Sequence, residues 1–236
     1  MDLRFATVPA LASLPGLVHG FEQRSAFGPS ESREATRTRT EEALEGAGEL
    51  FLMSQVHGAE VRQPPWDRPP EGDAAVAVEP GQLLGIETAD CLPVLLVDPR
   101  QRAVAAVHAG WRGTVAGVAA AAVRALVARG SRAADLLAAT GPSIGPCCYE
   151  VGEELREAFG ATGAAFFRPG PRGRPHLDVR AANVRQLQQA GVSPGRIVHV
   201  DDCTACHPDR YYSYRRDGAG TGRMISFVGY RTGSPG

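Results

Sequence analysis

The chain contains no lysine: all 25 of its basic residues are arginine. A Schiff-base lysine or a Walker-type phosphate loop needs the missing ε-amine, so both are excluded. An excess of either charge is also lacking. With 26 acidic residues the net charge is −1 and the pI is near 6.6. Nucleic-acid binding calls for a basic face, and no nucleic-acid partner is expected. No window of the sequence reaches the roughly 18 apolar residues of a membrane span, so no membrane partner is expected either. The first 20 residues are interrupted by Pro9 and Pro15 and carry no signal-peptide core. Five cysteines, an odd number, argue against a disulfide framework. The expectation is a cytoplasmic protein with reduced thiols, in which any special cysteine does metal or thiol chemistry.

What the chain does have is 43% apolar residues over 236 positions, ample for one large domain. Two apolar runs of strand length stand out, Cys91 to Asp98 and Ala103 to His108, joined by a turn containing Pro99. Paired as a hairpin with a four-residue loop at 98–101, they place positions summing to 199 opposite one another, and Cys91 faces His108. Directly opposed side chains have Cβ atoms about 4.5–5.5 Å apart, within reach of one metal ion or of a thiol–imidazole bond. Around this hairpin the patterns predict strands at 3–8, 17–23, 49–57, 73–79, 137–140, 196–200, 211–217 and 224–230. Helices are predicted at 31–47 (a solvated, charged one), 114–129, 131–137, 151–159 and 178–191, with 62–72, 141–150 and 164–175 as loops. Several strands are sequence neighbours, which favours an α+β fold over a doubly wound parallel sheet.

Five constellations could carry chemistry. His57, Cys91 and His108 form a His₂Cys set that suits catalytic zinc with an open fourth position, or a blue-copper-like site. Cys91 with His108 could equally be a nucleophilic thiol–imidazole couple. His108-Ala109-Gly110-Trp111-Arg112-Gly113-Thr114 runs into a helix, where backbone N–H groups and Arg112 could hold an anion. Cys203-Thr204-Ala205-Cys206-His207 has the spacing of haem attachment, but haem needs export; as a zinc motif it supplies two ligands and no second such pair is evident. Cys147 and Cys148 read as structural. Tyr211 to Gly218 places Arg215 and Arg216 among tyrosines, and in a strand only one of them can face a given pocket. The plain alternative for each is a strand end, a tight turn or a salt-bridged surface.

Taken together, Ser54-Gln55-Val56-His57-Gly58, Thr88-Ala89-Asp90-Cys91-Leu92-Pro93, His108-Ala109-Gly110-Trp111-Arg112-Gly113-Thr114, Gly141-Pro142-Ser143-Ile144-Gly145-Pro146 and Tyr214-Arg215-Arg216-Asp217-Gly218 resemble one family, in order, over roughly residues 17–230. It is the multicopper polyphenol oxidoreductase (laccase-domain) family, now regarded as purine nucleoside phosphorylases. The resemblance implies a single domain over 1–236 with two β-sheets in a sandwich flanked by helices, like the cysteine-hydrolase-toxin fold. It implies Zn²⁺ on His57, Cys91 and His108, with copper as the alternative metal. It implies phosphorolysis of adenosine, inosine and 5′-methylthioadenosine, with adenosine deamination as a second activity. The partners expected are therefore a nucleoside and phosphate, and the protein is expected to be a monomer or weak homodimer. Within that reading Gln55, Arg112, Gly113, Thr114 and Arg215 bind substrate or phosphate, and Asp90 joins the catalytic set by orienting substrate or transferring a proton. Two features depart from the family: Arg24-Ser25-Ala26-Phe27-Gly28 replaces its glycine-rich substrate loop, and the Cys203–His207 motif is not expected. A cysteine hydrolase built on Cys91 and His108, a copper-dependent polyphenol oxidase, and a binding module without catalysis are the competing classes.

Overall fold

A computed structural model describes residues 5–24, 32–171 and 173–233. In chain order the elements are β1 (Phe5–Ala6), α1 (Pro9–Ala12), β2 (Leu17–Glu22), α2 (Arg33–Ala43), β3 (Glu49–Phe51), β4 (Val61–Arg62), β5 (Ala74–Ala77), β6 (Gln82–Thr88), β7 (Leu92–Asp98), β8 (Ala103–Ala109), α3 (Trp111–Val115), α4 (Val118–Val127), β9 (Leu137–Thr140), α5 (Glu153–Gly163), β10 (Phe167–Pro169), β11 (Pro175–Leu177), α6 (Val179–Gln189), β12 (Ile197–His199), α7 (Tyr214–Asp217) and β13 (Met224–Tyr230). One sheet has the order β1-β2-β13-β6-β3, a second the order β12-β9-β7-β8-β5-β4, and β10 and β11 make a separate hairpin. Parallel pairs (β3 with β6, β4 with β5, β12 with β9) mix with antiparallel ones, as an α+β fold requires.

The two sheets lie face to face. Phe21, Phe51, Leu84 and Ile86 of the first pack against Leu95, Val97, Val104 and Ala106 of the second. On the outer face of the second sheet, Leu92, Val94, Leu96, Ala105 and Val107 meet Val118, Ala119, Ala122 and Leu126 of α4 and Leu187 of α6. The outer face of the first carries Val18, Leu50, Leu83 and Phe227 beneath Leu44 and Ala47, the turns that follow α2. The layers thus run helix, sheet, sheet, helix. Successive strand residues point to opposite faces, and here both faces are covered, so β7 and β8 are apolar without alternation. Alanine dominates β8 and the inner side of α4, which lets helix and sheet approach closely. Among the described residues no helix is long and apolar enough to cross a membrane.

Several expectations are corrected. The 91–108 hairpin exists, but Leu92 pairs with Ala109 and Pro93 with His108, so opposed positions sum to 201 and the loop is Pro99–Arg102. The slip of two residues preserves the faces, since side chains repeat every two residues. The 49–57 run is a strand only to Phe51; beyond a bridge at Ser54 the chain turns, and His57 takes a left-handed φ of 61°. The 211–217 run is not a strand. Ser213 caps it, accepting from the Arg216 N–H at 3.3 Å, and Tyr214–Asp217 is a turn of helix. The 114–129 helix begins earlier, at Trp111, and is broken at Gly117 (φ 81°), which separates α3 from α4. Only 133–135 of the 131–137 helix forms, as a 3₁₀ turn. The 164–175 loop holds β10 and the start of β11, and α1 was not foreseen. The helix at 31–47 is shorter and less solvated: Thr36 and Thr40 are buried, and Arg39 pairs at 2.6 Å with the buried Glu22. Residue 31 of that helix, residues 3–4 of the first strand and the divergent loop at 25–28 lie outside the described residues.

Candidate metal centre and cavity

The site lies at the open end of the β7–β8 hairpin, opposite its turn. His108 is on the same face of β8 as Val104 and Ala106, the face that looks into the space between sheets. Cys91 immediately precedes β7, one residue after Asp90, whose φ of 99° turns the chain. Extending the observed register sets Cys91 opposite Gly110, diagonal to His108 rather than directly across from it. The third residue comes from the loop after β3. One donor atom from each of His57, Cys91 and His108 lies within 4.8 Å of the others. The two imidazole rings meet edge to face, with centroids 4.9 Å apart. Gly110 is what permits the approach: a Cβ there would sit 3.0 Å from Cys91 Sγ and 3.0 Å from His57 Cδ2.

A residue the sequence reading missed organises this set. Asp73, fully buried at the start of β5, accepts from the backbone N–H groups of Val56 (3.2 Å), His57 (2.9 Å) and Gly58 (2.7 Å). Its Oδ1 also lies 2.7 Å from His108 Nδ1. One carboxylate therefore holds the left-handed loop that presents His57 and fixes the ring of His108, leaving Nε2 of His108 for the cavity. Left-handed backbone at a non-glycine residue costs about 1–3 kcal/mol and persists where the surroundings over-determine it; three N–H bonds to one carboxylate do so here. A carboxylate behind a histidine is the usual outer partner of a metal-ligating imidazole.

The electrostatics agree. Burial alone would raise the Cys91 thiol, but the charge and hydrogen bonds of His108 and His57 outweigh it and bring the group down to about 6. Burial would lower His108, yet the Cys91 thiolate and Asp73 raise it to about 9. Asp73 resists its own burial through bonds from His108, Gly58 and His57, and stays below the ordinary carboxylate value. These directions favour a thiolate beside an imidazolium in the metal-free chain near neutral pH. A soft sulfur donor, two nitrogen donors and an outer carboxylate fit a borderline-soft ion such as zinc, with a fourth position toward the cavity.

The cavity is about 420 Å³ and is lined by His57, Cys91 and His108 at one end and by Arg112, Tyr149 and Arg215 along its wall. That volume is in the range of small-molecule sites. Gln55 lines it too, but both ends of its amide bond the backbone of Glu87, at 2.8 and 2.7 Å, in place of a strand partner. Asp90 also lines the cavity; its carboxylate accepts from Thr204 Oγ1 (2.5 Å) and the Arg215 N–H (2.7 Å). Arg215 donates to the Glu150 carbonyl at 2.6 Å and lies over the Tyr149 ring. Arg112, another lining residue, rests on Trp111, 4.4 Å from the ring centroid. Gly113 and Thr114 are not brought to the cavity: both are buried in α3, where Thr114 Oγ1 donates to the Gly110 carbonyl and accepts from Asn183. Arg216 turns away, donating to the carbonyls of Thr204, Ala205 and Tyr211.

The reading of Cys203 and Cys206 as a pair with no partners is also corrected. The bridge between Ser143 and Cys203 brings the 141–150 loop against the 201–207 turn, and Cys147, Cys148, Cys203 and Cys206 form a second cluster whose sulfurs all lie within 4.8 Å of one another. His207 is not in that cluster; its Nε2 faces Asp202 at 3.8 Å.

The model of the family described as "Multi-copper polyphenol oxidoreductase laccase" matches residues 29–231. A purine nucleoside phosphorylase of Streptomyces coelicolor is 46% identical over 183 residues, which are 76% of this chain and 74% of that protein. A protein named an adenosine deaminase, from an unknown prokaryotic organism, is 41% identical over 160 residues, 66% of this chain and 61% of its own. Among solved structures, YlmD from Geobacillus stearothermophilus superposes with a TM-score of 0.85 at 29% identity, covering 97% of this chain and 99% of the other.

Proposed function

We infer that this chain, which belongs to the multi-copper polyphenol oxidoreductase laccase family, is a zinc-dependent purine nucleoside phosphorylase acting on adenosine, inosine and 5′-methylthioadenosine, with adenosine deamination as a second activity. The observation that carries this reading is the convergence of His57, Cys91 and His108 at the end of a nucleoside-sized cavity that Arg112 also lines. The names of the similar proteins from Streptomyces coelicolor and the unknown prokaryote support the substrate class. In phosphorolysis a phosphate oxygen forms a bond to C1′ while the C1′–N9 bond breaks, and the base leaves with that electron pair and takes up a proton. Deamination exchanges the purine 6-amino group for the oxygen of water and releases ammonia.

His57, Cys91 and His108 hold the zinc, and when bound it supplies Lewis-acid polarisation and a lowered pKa for water. The chain's residues do the rest. Arg112 pairs with phosphate through a bidentate guanidinium. Tyr149 and the exposed Tyr214 offer ring faces for the purine. Asp90 is a positioning residue, because its two oxygens hold Thr204 and the Arg215 backbone. Asp73 keeps Nδ1 of His108 protonated and so presents Nε2 to the cavity. The donor set favours zinc over a multi-copper oxidase: of six histidines, His19, His176 and His199 are bonded within the fold to Val8, Pro146 and Thr140 and His207 faces Asp202, leaving two at the centre.

One observation favours a second reading. Asp73, His108 and Cys91 are also ordered as a carboxylate, an imidazole and a thiol, the arrangement of a cysteine hydrolase. The test is to purify the protein, measure bound metal, and incubate adenosine with and without phosphate. Adenine and ribose 1-phosphate formed only with phosphate support phosphorolysis. Turnover of an ester by metal-free protein, with an acyl group trapped on Cys91, would replace that reading with the hydrolase.

A further inference from the structure

The four-cysteine cluster lies outside the centre just described. Cys147 and Cys148 sit on a turn closed by bonds from the Cys148 and Tyr149 N–H groups to the Gly145 carbonyl, both at 3.0 Å. Cys203 and Cys206 sit on a second turn, closed by the Cys206 N–H on the Cys203 carbonyl at 3.1 Å. All four thiols are unpaired as disulfides. Cys147 Sγ lies 3.6 Å and Cys148 Sγ 3.4 Å from Cys206 Sγ. A disulfide needs about 2.05 Å. Sulfurs held 2.3 Å from a tetrahedral zinc are about 3.8 Å apart, close to what the two turns present. Gly145 donates its N–H to Cys203 Sγ at 3.2 Å, a bond that stabilises thiolate charge. It also keeps the space clear, for a Cβ there would lie 3.3 Å from both Cys147 Sγ and Cys203 Cβ. Arg216, ion-paired with Asp217 at 2.6 Å, bonds the carbonyls of Thr204 and Ala205 and so braces the turn.

We propose that Cys147, Cys148, Cys203 and Cys206 bind one Zn²⁺ as a closed tetrathiolate site, separate from the His57–Cys91–His108 centre. Four soft sulfurs in a tetrahedral arrangement select zinc or an iron–sulfur cluster, and the absence of an open position makes the site structural. Binding releases the thiol protons and joins two loops that otherwise meet through few backbone bonds. The 141–150 loop lends Ile144 and Tyr149 to the cavity lining; Thr204, between two of the ligands, holds Asp90, which also lines it, and Arg215 of α7 donates to the Glu150 carbonyl. The ion is a clamp that fixes the wall without touching substrate.

The test is zinc content per chain, measured on protein prepared under reducing conditions. Wild type should hold two equivalents, Cys91→Ala one, and Cys203→Ser/Cys206→Ser one. Cobalt(II) loaded into Cys91→Ala should give the charge-transfer and ligand-field bands of a four-sulfur site. That measurement leaves the cluster intact, so it decides the matter even if the double variant fails to fold. One equivalent in both wild type and Cys91→Ala, with the four-sulfur spectrum, would uphold this site while removing the first centre. The proposal is overturned if Cys91→Ala binds no metal and its remaining four thiols alkylate freely, if intact mass shows them oxidised in pairs, or if iron with acid-labile sulfide takes the place of zinc.

Discussion

The two sulfur clusters of this chain are built by opposite means. His57, Cys91 and His108 are carried on the ends of two central strands and on one loop that a buried carboxylate pins down. Cys147, Cys148, Cys203 and Cys206 are carried on two turns joined by a single β-bridge, Ser143 to Cys203, and by the cluster itself. The first holds its geometry through the framework, as a preorganised site needs. The second has four sulfur donors on two turns joined by one short bridge, which on the proposal above makes the ion a structural tie. Preorganisation at one and dependence on the ion at the other predict different responses to the same perturbations.

Asp73→Asn should separate them most sharply. It removes the charge behind His108 and weakens the grip on three N–H groups, and loss of such an outer partner lowers metal affinity or activity about 10–100-fold. Titration with a zinc chelator should show that loss at the first centre and none at the cysteine cluster; equal loss at both would erase the distinction. Proton competition comes next. His108 is raised to about 9 and Cys91 lowered to about 6, so between these values metal must displace one proton, from His108. Affinity of the first centre should then rise about tenfold from about pH 7 to about pH 8 and level off above about 9, and below about 6 it should fall more steeply as Cys91 also protonates. An affinity flat between pH 7 and 8 would contradict the paired charge state. Gly110→Ala drives a methyl group between Cys91 and His57. Displacement of a few tenths of an ångström should reduce turnover about tenfold, with zinc still bound at the cluster.

The smallest expected effect belongs to the framework. His19, in β2, accepts the Val8 N–H at 3.0 Å, and burial holds it down to about 4. Its folded value is below the ordinary 6.5, so its contribution to stability is fully present above about 6.5 and is lost as the pH falls through about 4. Urea unfolding of metal-free protein should show that decline, and His19→Gln should flatten it without changing metal content. A decline of undiminished slope in the variant would assign it to other groups.

Much of this was written in the sequence where local pattern and long-range packing agree. The apolar runs of β7 and β8 announce two strands covered on both faces, and His108 followed by Gly110 marks the end of one of them. The register was off by two because the turn takes Pro99–Arg102 rather than 98–101; the period of two hid the error by leaving Cys91 and His108 on one face. His57 was legible as a residue type but not as a position, since the apolar alternation of 49–57 concealed a left-handed turn whose cause, Asp73, lies in another strand. Asp73 itself gave only a faint signal, a carboxylate opening an apolar run, which pattern alone leaves in solvent. The aromatic run at 211–214 favours a strand, but the Ser213 cap and the hold of Asp90 on the Arg215 N–H bend it into a helical turn. The cysteine cluster was invisible because its halves come from turns joined only by tertiary contact.

The proposed function makes Cys91 a metal ligand in a phosphorolytic enzyme and not a nucleophile. The most direct measurement is zinc content and ribose 1-phosphate formation from adenosine and phosphate, for wild type and Cys91→Ala side by side. The substitution should remove one equivalent of zinc and lower product formation by about 10³-fold, the several kcal/mol expected of a lost Lewis acid. A Cys91→Ala protein that keeps all of its zinc and its full activity would contradict that assignment.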